Sequence, residues 1–319
     1  MIVRWGLGEL APLLVELGSE HPLLVTTSRF EALELPVEHR FSSVRTHVPA
    51  ETVAAATDAA EDADSLVALG GGSAIDTGKA VSAATGLPVV AVPTTYAGAE
   101  WTTYFGVRDE ERRVKGGGSG AHVVAAVYEP ALTLELPRTE TVGTALNALA
   151  HAAEALYAGP QADALEGARG IGRWLPIAAD HGRDLEARTR LLEGAVHAGR
   201  ALAERGLFLA HALAQTLGGR YGLPHGAMNA ICLAPALRFN EPVVPDAVAL
   251  LGDSLEREDA IARVVEFSRL GGFERLRDFG VPEPDLRSLA DDVVTRAGAR
   301  ANPRPVTAAD AEALYRSVW

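Results

Sequence analysis

Four short apolar runs within the first 137 residues constrain this chain most: Leu23-Leu24-Val25-Thr26-Thr27, Leu66-Val67-Ala68-Leu69, Val89-Val90-Ala91-Val92 and Val123-Val124-Ala125-Ala126-Val127-Tyr128. None alternates with polar residues, so each suits a strand buried on both faces, as strands of a parallel sheet are. Helix-like segments lie between them, among them Leu10 to Leu17 and the alanine-rich Glu51 to Ala60. The order strand, helix, strand, helix predicts an α/β domain over residues 1–137. After Pro137 the texture changes. Thr139 to Tyr157, Gly167 to Ala179, Ala187 to Leu217 and Asp259 to Phe273 carry apolar residues at helical spacing with few β-branched runs, which predicts an all-helical domain over residues 138–319.

Composition narrows the function classes. With 48% apolar and 22% charged residues the 319-residue chain can bury a substantial core, which excludes disorder as its dominant state. The 29 Lys plus Arg against 42 Asp plus Glu leave a net charge of -13, so nucleic acids and anionic membranes are poor partners and a small molecule is the expected one. Cys232 is the single cysteine and lies in the apolar stretch Ala230-Ile231-Cys232-Leu233, which excludes an intrachain disulfide and a thiolate cluster and predicts an inert buried thiol. Met1-Ile-Val-Arg-Trp-Gly does not read as a secretory signal, and no uncharged apolar run approaches the roughly 18 residues of a membrane span. A cytoplasmic protein is expected.

The strongest motif of the first half is Leu69-Gly70-Gly71-Gly72-Ser73-Ala74-Ile75-Asp76-Thr77-Gly78-Lys79, placed after a strand and before an alanine-rich helix. Three glycines let the backbone turn sharply and approach a ligand, while the helix start offers N–H groups to a pyrophosphate. The same residues also read as a tight strand-to-helix turn with Ser73 as an ordinary N-cap. The motif is neither G-x-G-x-x-G nor a P-loop. A second loop, Val92-Pro93-Thr94-Thr95-Tyr96-Ala97-Gly98-Ala99-Glu100-Trp101, follows the next strand. Both loops fall at carboxyl ends of neighbouring strands, where open α/β sheets bind nucleotides.

These two loops, with Val127 to Pro137, Asn147 to Tyr157, Gly206 to Asn240 and the ending Asn302-Pro303-Arg304-Pro305, resemble the iron-containing alcohol dehydrogenase superfamily over nearly the whole chain, and are most similar to its maleylacetate reductase branch. The resemblance implies a dehydroquinate-synthase-like fold, a homodimer, and an active site in a cleft between an α/β dinucleotide-binding domain and a helical domain. It places Gly71, Gly72, Ser73, Asp76, Thr94, Thr95, Tyr96 and Lys115 at an NADH or NADPH site, with Tyr96 near the substrate as well. The second strand ends in Thr26-Thr27-Ser28-Arg29, without the carboxylate that would repel a 2′-phosphate, so either cofactor is compatible. Arg29 reads as a 2′-phosphate partner or as a solvated surface charge.

Asn147 and His151 lie four apart on a predicted helix and so share a face, while His211 and His225 flank the turn Gly218 to Pro224. In the metal-dependent members that the chain resembles, the matching positions hold a divalent ion with one aspartate and three histidines. Asn147 stands at the aspartate position, which removes the only anionic ligand and makes a metal doubtful. The resemblance to maleylacetate reductases then implies hydride transfer without an obligatory metal. His151, His211 and His225 would stabilise the oxyanion and deliver a proton, with Asn147 and Arg220 holding substrate. Each histidine taken alone also reads as a core or capping residue.

The chain departs from the family pattern at Gln215, at Pro235 and at Lys115-Gly116-Gly117-Gly118-Ser119-Gly120, each replacing a polar family position or loop. Arg112, Arg113, Lys115, Arg220 and Arg304 remain as candidate partners for a dicarboxylate, and the glycine-rich stretch reads as a mobile flap or a flexible turn. The sequence therefore predicts a reductase of a small oxo acid, maleylacetate to 3-oxoadipate being the example. A metal-dependent alcohol dehydrogenase and a nucleotide-binding homologue with a non-redox reaction or no turnover are the alternatives.

Overall fold

The computed structural model describes residues 1–109 and 114–319, which form two compact units, Met1–Thr133 and Leu134–Trp319. The first runs β1 (Ile2–Trp5), α1 (Leu10–Glu16), β2 (Pro22–Thr26), β3 (His39–Phe41), α2 (Ala50–Asp58), β4 (Ser65–Gly70), α3 (Gly72–Thr85), β5 (Pro88–Pro93), β6 (Phe105–Asp109), β7 (Val114–Gly118) and β8 (His122–Tyr128). Six strands make one parallel sheet in the order β1-β8-β5-β4-β2-β3. The bare apolar runs are its inner strands: Leu66 to Leu69 and Val89 to Val92 are wholly buried, because helices and neighbouring strands leave them no solvent face. Leu10, Leu13, Leu24, Val67, Val90, Val92 and Val127 share one core cluster. On the other hand, β1 and β3 at the two edges are short and carry Arg4, His39 and Arg40, so apolar patterning did not mark them.

The glycine-rich stretch is neither a flap nor a flexible turn. Gly116, Gly117 and Gly118 lie in β7, which pairs antiparallel with β6, Gly117 facing Gly106 and Gly118 facing Phe105. A Cβ on Gly117 would come within 2.7 Å of the Phe105 carbonyl oxygen, so glycine is what lets these strands close.

The second unit is helical: α4 (Arg138–Ala155), α5 (Ala162–Asp180), α6 (Leu185–Arg205), α7 (Leu209–Tyr221), α8 (His225–Asn240), α9 (Pro245–Ser254), α10 (Ala260–Leu270), α11 (Leu286–Val293), α12 (Ala297–Arg300) and α13 (Ala308–Ser317). Helix α4 is buried from Thr141 to Ala155 and packs against α5, α6 and α8. Where sequence periodicity suggested one helix over 187–217, the chain breaks: Gly206 takes φ +79° after Arg205 and α7 starts afresh at Leu209. That break creates a helix N-terminus inside the unit. Helices α4 and α8 meet through glycine on both sides, a Cβ on Gly226 falling 2.6 Å from the Gly143 carbonyl carbon. No helix among the described residues is long and apolar enough to cross a membrane.

Candidate active site

In the α/β unit, β4 ends at Gly70, whose φ of +145° favours glycine and whose Cβ would lie 2.8 Å from that of Ala74. Helix α3 opens at Gly72 with Gly71 as N-cap, two residues before the Ser73 cap that the sequence suggested. Ser73 is therefore not the cap; its Oγ accepts the His47 N–H at 3.3 Å. The N–H groups of Gly72 and Ser73 have no backbone acceptor among the described residues, and a Cβ on Gly72 would meet nothing within 4 Å. An open backbone at a helix N-terminus suits a pyrophosphate. The second loop is bound to the first: the Thr94 N–H donates to the Gly70 carbonyl at 3.0 Å, and a Cβ on Gly71 would stand 3.0 Å from the Thr95 methyl. Tyr96 is wholly buried.

Asp76 links α3 to the ribbon, accepting the Gly106 N–H at 3.1 Å and Lys79 Nζ at 3.3 Å. Lys79, which motif reasoning passed over, is buried and donates to the Ala99 carbonyl at 2.7 Å and to Thr102 Oγ1 at 3.0 Å. An Asp-x-x-Lys spacing on one helix face was the available signal. Beside it the Tyr128 hydroxyl donates to Glu100 Oε1 at 2.8 Å, and burial raises the Glu100 carboxyl above its ordinary range. Arg29 lies exposed with its guanidinium over Phe30. Arg112, Arg113 and the Lys115 side chain lie outside the described residues.

In the helical unit the four positions read from the sequence come together. Asn147 and His151 project from α4, His211 from the first turn of α7, and His225 from the start of α8. The His151 and His211 rings stack at 4.7 Å and 12°, and His225 lies 6.1 Å from His211. Burial, with His211 and His225 close by, holds the His151 imidazole well below its usual range, and its Nδ1 is buried without a hydrogen-bond partner. His211 Nε2 sits 3.3 Å from Asn147 Oδ1, and Asn229 Nδ2 donates to that oxygen at 2.6 Å while lying 3.0 Å from His225 Nε2. His211 Nδ1 is 2.6 Å from Glu154 Oε2.

Asn229 and Glu154 were missed in the sequence. Their signals were spacing: Asn229 falls four residues after His225, and Glu154 continues the helical face of Asn147 and His151. By contrast, Arg220 and Arg304 have other partners. Arg220 binds Ser288 Oγ and Asp292 Oδ2, each at 2.6 Å, fastening the end of α7 to α11. Arg304 donates to the Phe239 carbonyl and covers the Phe239 ring, while Asn302 exchanges reciprocal amide bonds with Asn240. Gln215 is half-buried in α7, and Pro235 lies inside α8.

The two halves match family models separately, residues 4–128 that of iron-containing alcohol dehydrogenase and residues 141–319 that of the Fe-containing alcohol dehydrogenase family, C-terminal. The chain belongs to the iron-containing alcohol dehydrogenase family, and with it to the oxidoreductases. Among its relatives it is 38% identical to maleylacetate reductase of Pseudomonas knackmussii over 297 residues, covering 87% of this chain and 84% of the relative. It is 35% identical to maleylacetate reductase 1 of Rhodococcus opacus, covering 95% and 87%. The crystal structure of maleylacetate reductase from Agrobacterium tumefaciens superposes with a TM-score of 0.90 at 30% identity, covering all of this chain and 95% of that one.

The family's name implies a divalent metal, and the donor set does not suit one. Asn147 replaces an anionic ligand with an amide whose oxygen already meets Asn229 and His211. Among the described residues no group of three or more His, Cys, Asp or Glu side chains is placed to hold a metal ion.

Proposed function

We propose that this protein is an NAD(P)H-dependent reductase of a small unsaturated oxo acid, converting maleylacetate to 3-oxoadipate without an obligatory metal. The observation that carries the reading is the Asn147 amide set among three histidines, in a chain whose relatives at 34–38% identity are maleylacetate reductases.

The reduced nicotinamide supplies a hydride when bound. In maleylacetate the double bond is conjugated to the C4 ketone, so addition at C2 sends the electron pair through C3 to the ketone oxygen, and a proton taken up at C3 completes the reduction. The chain's own task is to bind the cofactor and stabilise the enolate oxygen. Gly71, Gly72, Ser73, Thr94, Thr95 and Tyr96 are assigned to the cofactor, with Asp76 and Lys79 keeping the second loop and the ribbon in place. His211 offers N–H donation to the enolate oxygen, a charge-assisted bond as negative charge develops there. His151, neutral in its buried setting, and His225 are assigned to relaying a proton from solvent to C3.

Protein stripped with a chelator is incubated with NADH, then NADPH, and absorbance of the reduced cofactor is followed on adding maleylacetate, with and without ferrous or zinc ion. Metal-independent oxidation is the expected result. Activity only with metal would support an alcohol-dehydrogenase-type site, and cofactor binding without turnover would point to non-redox chemistry.

A further inference from the structure

We infer that Glu154 is a positioning residue for this reaction: it fixes the His211 ring so that Nε2 presents a proton where the substrate oxyanion forms. The inference rests on the reductase reading above. Glu154 is fully buried at the end of α4, where an unpaired carboxylate would be costly. It is paired at the N-terminus created by the break after Gly206. Its Oε2 accepts the Phe208 N–H at 3.0 Å, and its Oε1 accepts the Ala210 N–H at 2.7 Å. The third partner is His211 Nδ1, at 2.6 Å from Oε2. Both carboxyl oxygens already accept a backbone N–H, the pattern of a group that only accepts, and the proton of the third bond is therefore assigned to Nδ1.

The opposite edge of the ring is set by a second chain of bonds. Asn229 Nδ2 lies 3.2 Å from the backbone carbonyl of His225, four residues back, which fixes the amide's orientation. Nδ2 therefore donates to Asn147 Oδ1, and that oxygen turns an acceptor toward His211 Nε2. Both edges of His211 face acceptors; with Nδ1–H held by Glu154, a proton on Nε2 makes the ring an imidazolium, whose charge the Glu154 carboxylate balances. At 3.3 Å the contact to Asn147 is long, and a substrate oxyanion offers a stronger acceptor in its place. Glu154 touches neither substrate nor cofactor in this scheme and acts through His211.

The test is a double-mutant cycle of E154Q and H211N with maleylacetate and NADH, supported by 15N NMR of the histidine rings in the cofactor-free protein. Expected are a loss in kcat of roughly 10- to 100-fold for E154Q, the range seen when a buried partner that orients a site histidine is removed. KM and NADH affinity should stay within about twofold, E154D should recover part of kcat, and E154Q should add almost nothing in the H211N background. The hydrogen-bonded Nδ1 proton of His211 should vanish in E154Q. Wild-type kcat in E154Q, or an equal loss whether or not His211 is present, would overturn the inference. A wild type inactive on maleylacetate would instead sink the reductase reading, and the NMR arm would still decide the Glu154 bond.

Discussion

Asn147 shows how much chemistry one atom can change. Its Oδ1 lies 3.3 Å from the His211 imidazole, and exchanging the amide nitrogen for oxygen would restore an anionic donor. Asn147→Asp is expected to raise affinity for zinc or ferrous ion by at least about tenfold, read as metal retained after dialysis against a weak chelator. Another buried group bears on stability. Burial raises the Glu100 carboxyl, so the stability it contributes is full below its ordinary value of 4.5 and is lost as pH rises through the folded value. Glu100→Gln should therefore raise Tm by a few degrees at pH 8, at roughly 2–4 °C per kcal/mol, with the gain shrinking toward pH 5 in thermal melts. That His151, His211 and His225 belong together was legible through the family positions they match; spacing alone left each readable as a core or capping residue. Lys79, Glu154 and Asn229 were not legible, because their roles depend on burial and on partners up to 82 residues away.

At the scale of elements, the apolar runs announced the inner strands, whose burial on both faces admits no polar alternation. Edge strands and the ribbon escaped notice because their pairing depends on backbone proximity, and glycine advertises flexibility and close approach with the same letter. The break after Gly206 escaped for a related reason: apolar spacing continues across it while a single positive φ redirects the chain. The contact of α4 with α8 depends on Gly143 and Gly226, next to His225 and one turn before Asn147. Gly226→Ala is expected to cost about 1–3 kcal/mol of stability in urea unfolding, since its methyl would press on backbone that cannot swing aside, and to lower kcat by displacing His225.

For the molecule as a whole, the change of texture after Pro137 was read as the boundary between an α/β half and a helical one, and the chain divides into two compact units after Thr133. The loops assigned to the cofactor lie in the first and the histidines in the second. Hydrogen exchange with saturating NADH should consequently gain protection in residues 70–79 and 92–100, with smaller change in α5 and α6; uniform protection across both units would contradict the assignment. One feature of the helical unit also bears on descent. Because α4 and α8 meet main chain against main chain at Gly143 and Gly226, the spacing of the helices that carry Asn147 and His225 is set by backbone and holds while both positions stay glycine. Aspartate and asparagine codons differ by a single nucleotide, so one mutational step exchanges an anionic donor for an amide at position 147 while that backbone spacing stays as it is.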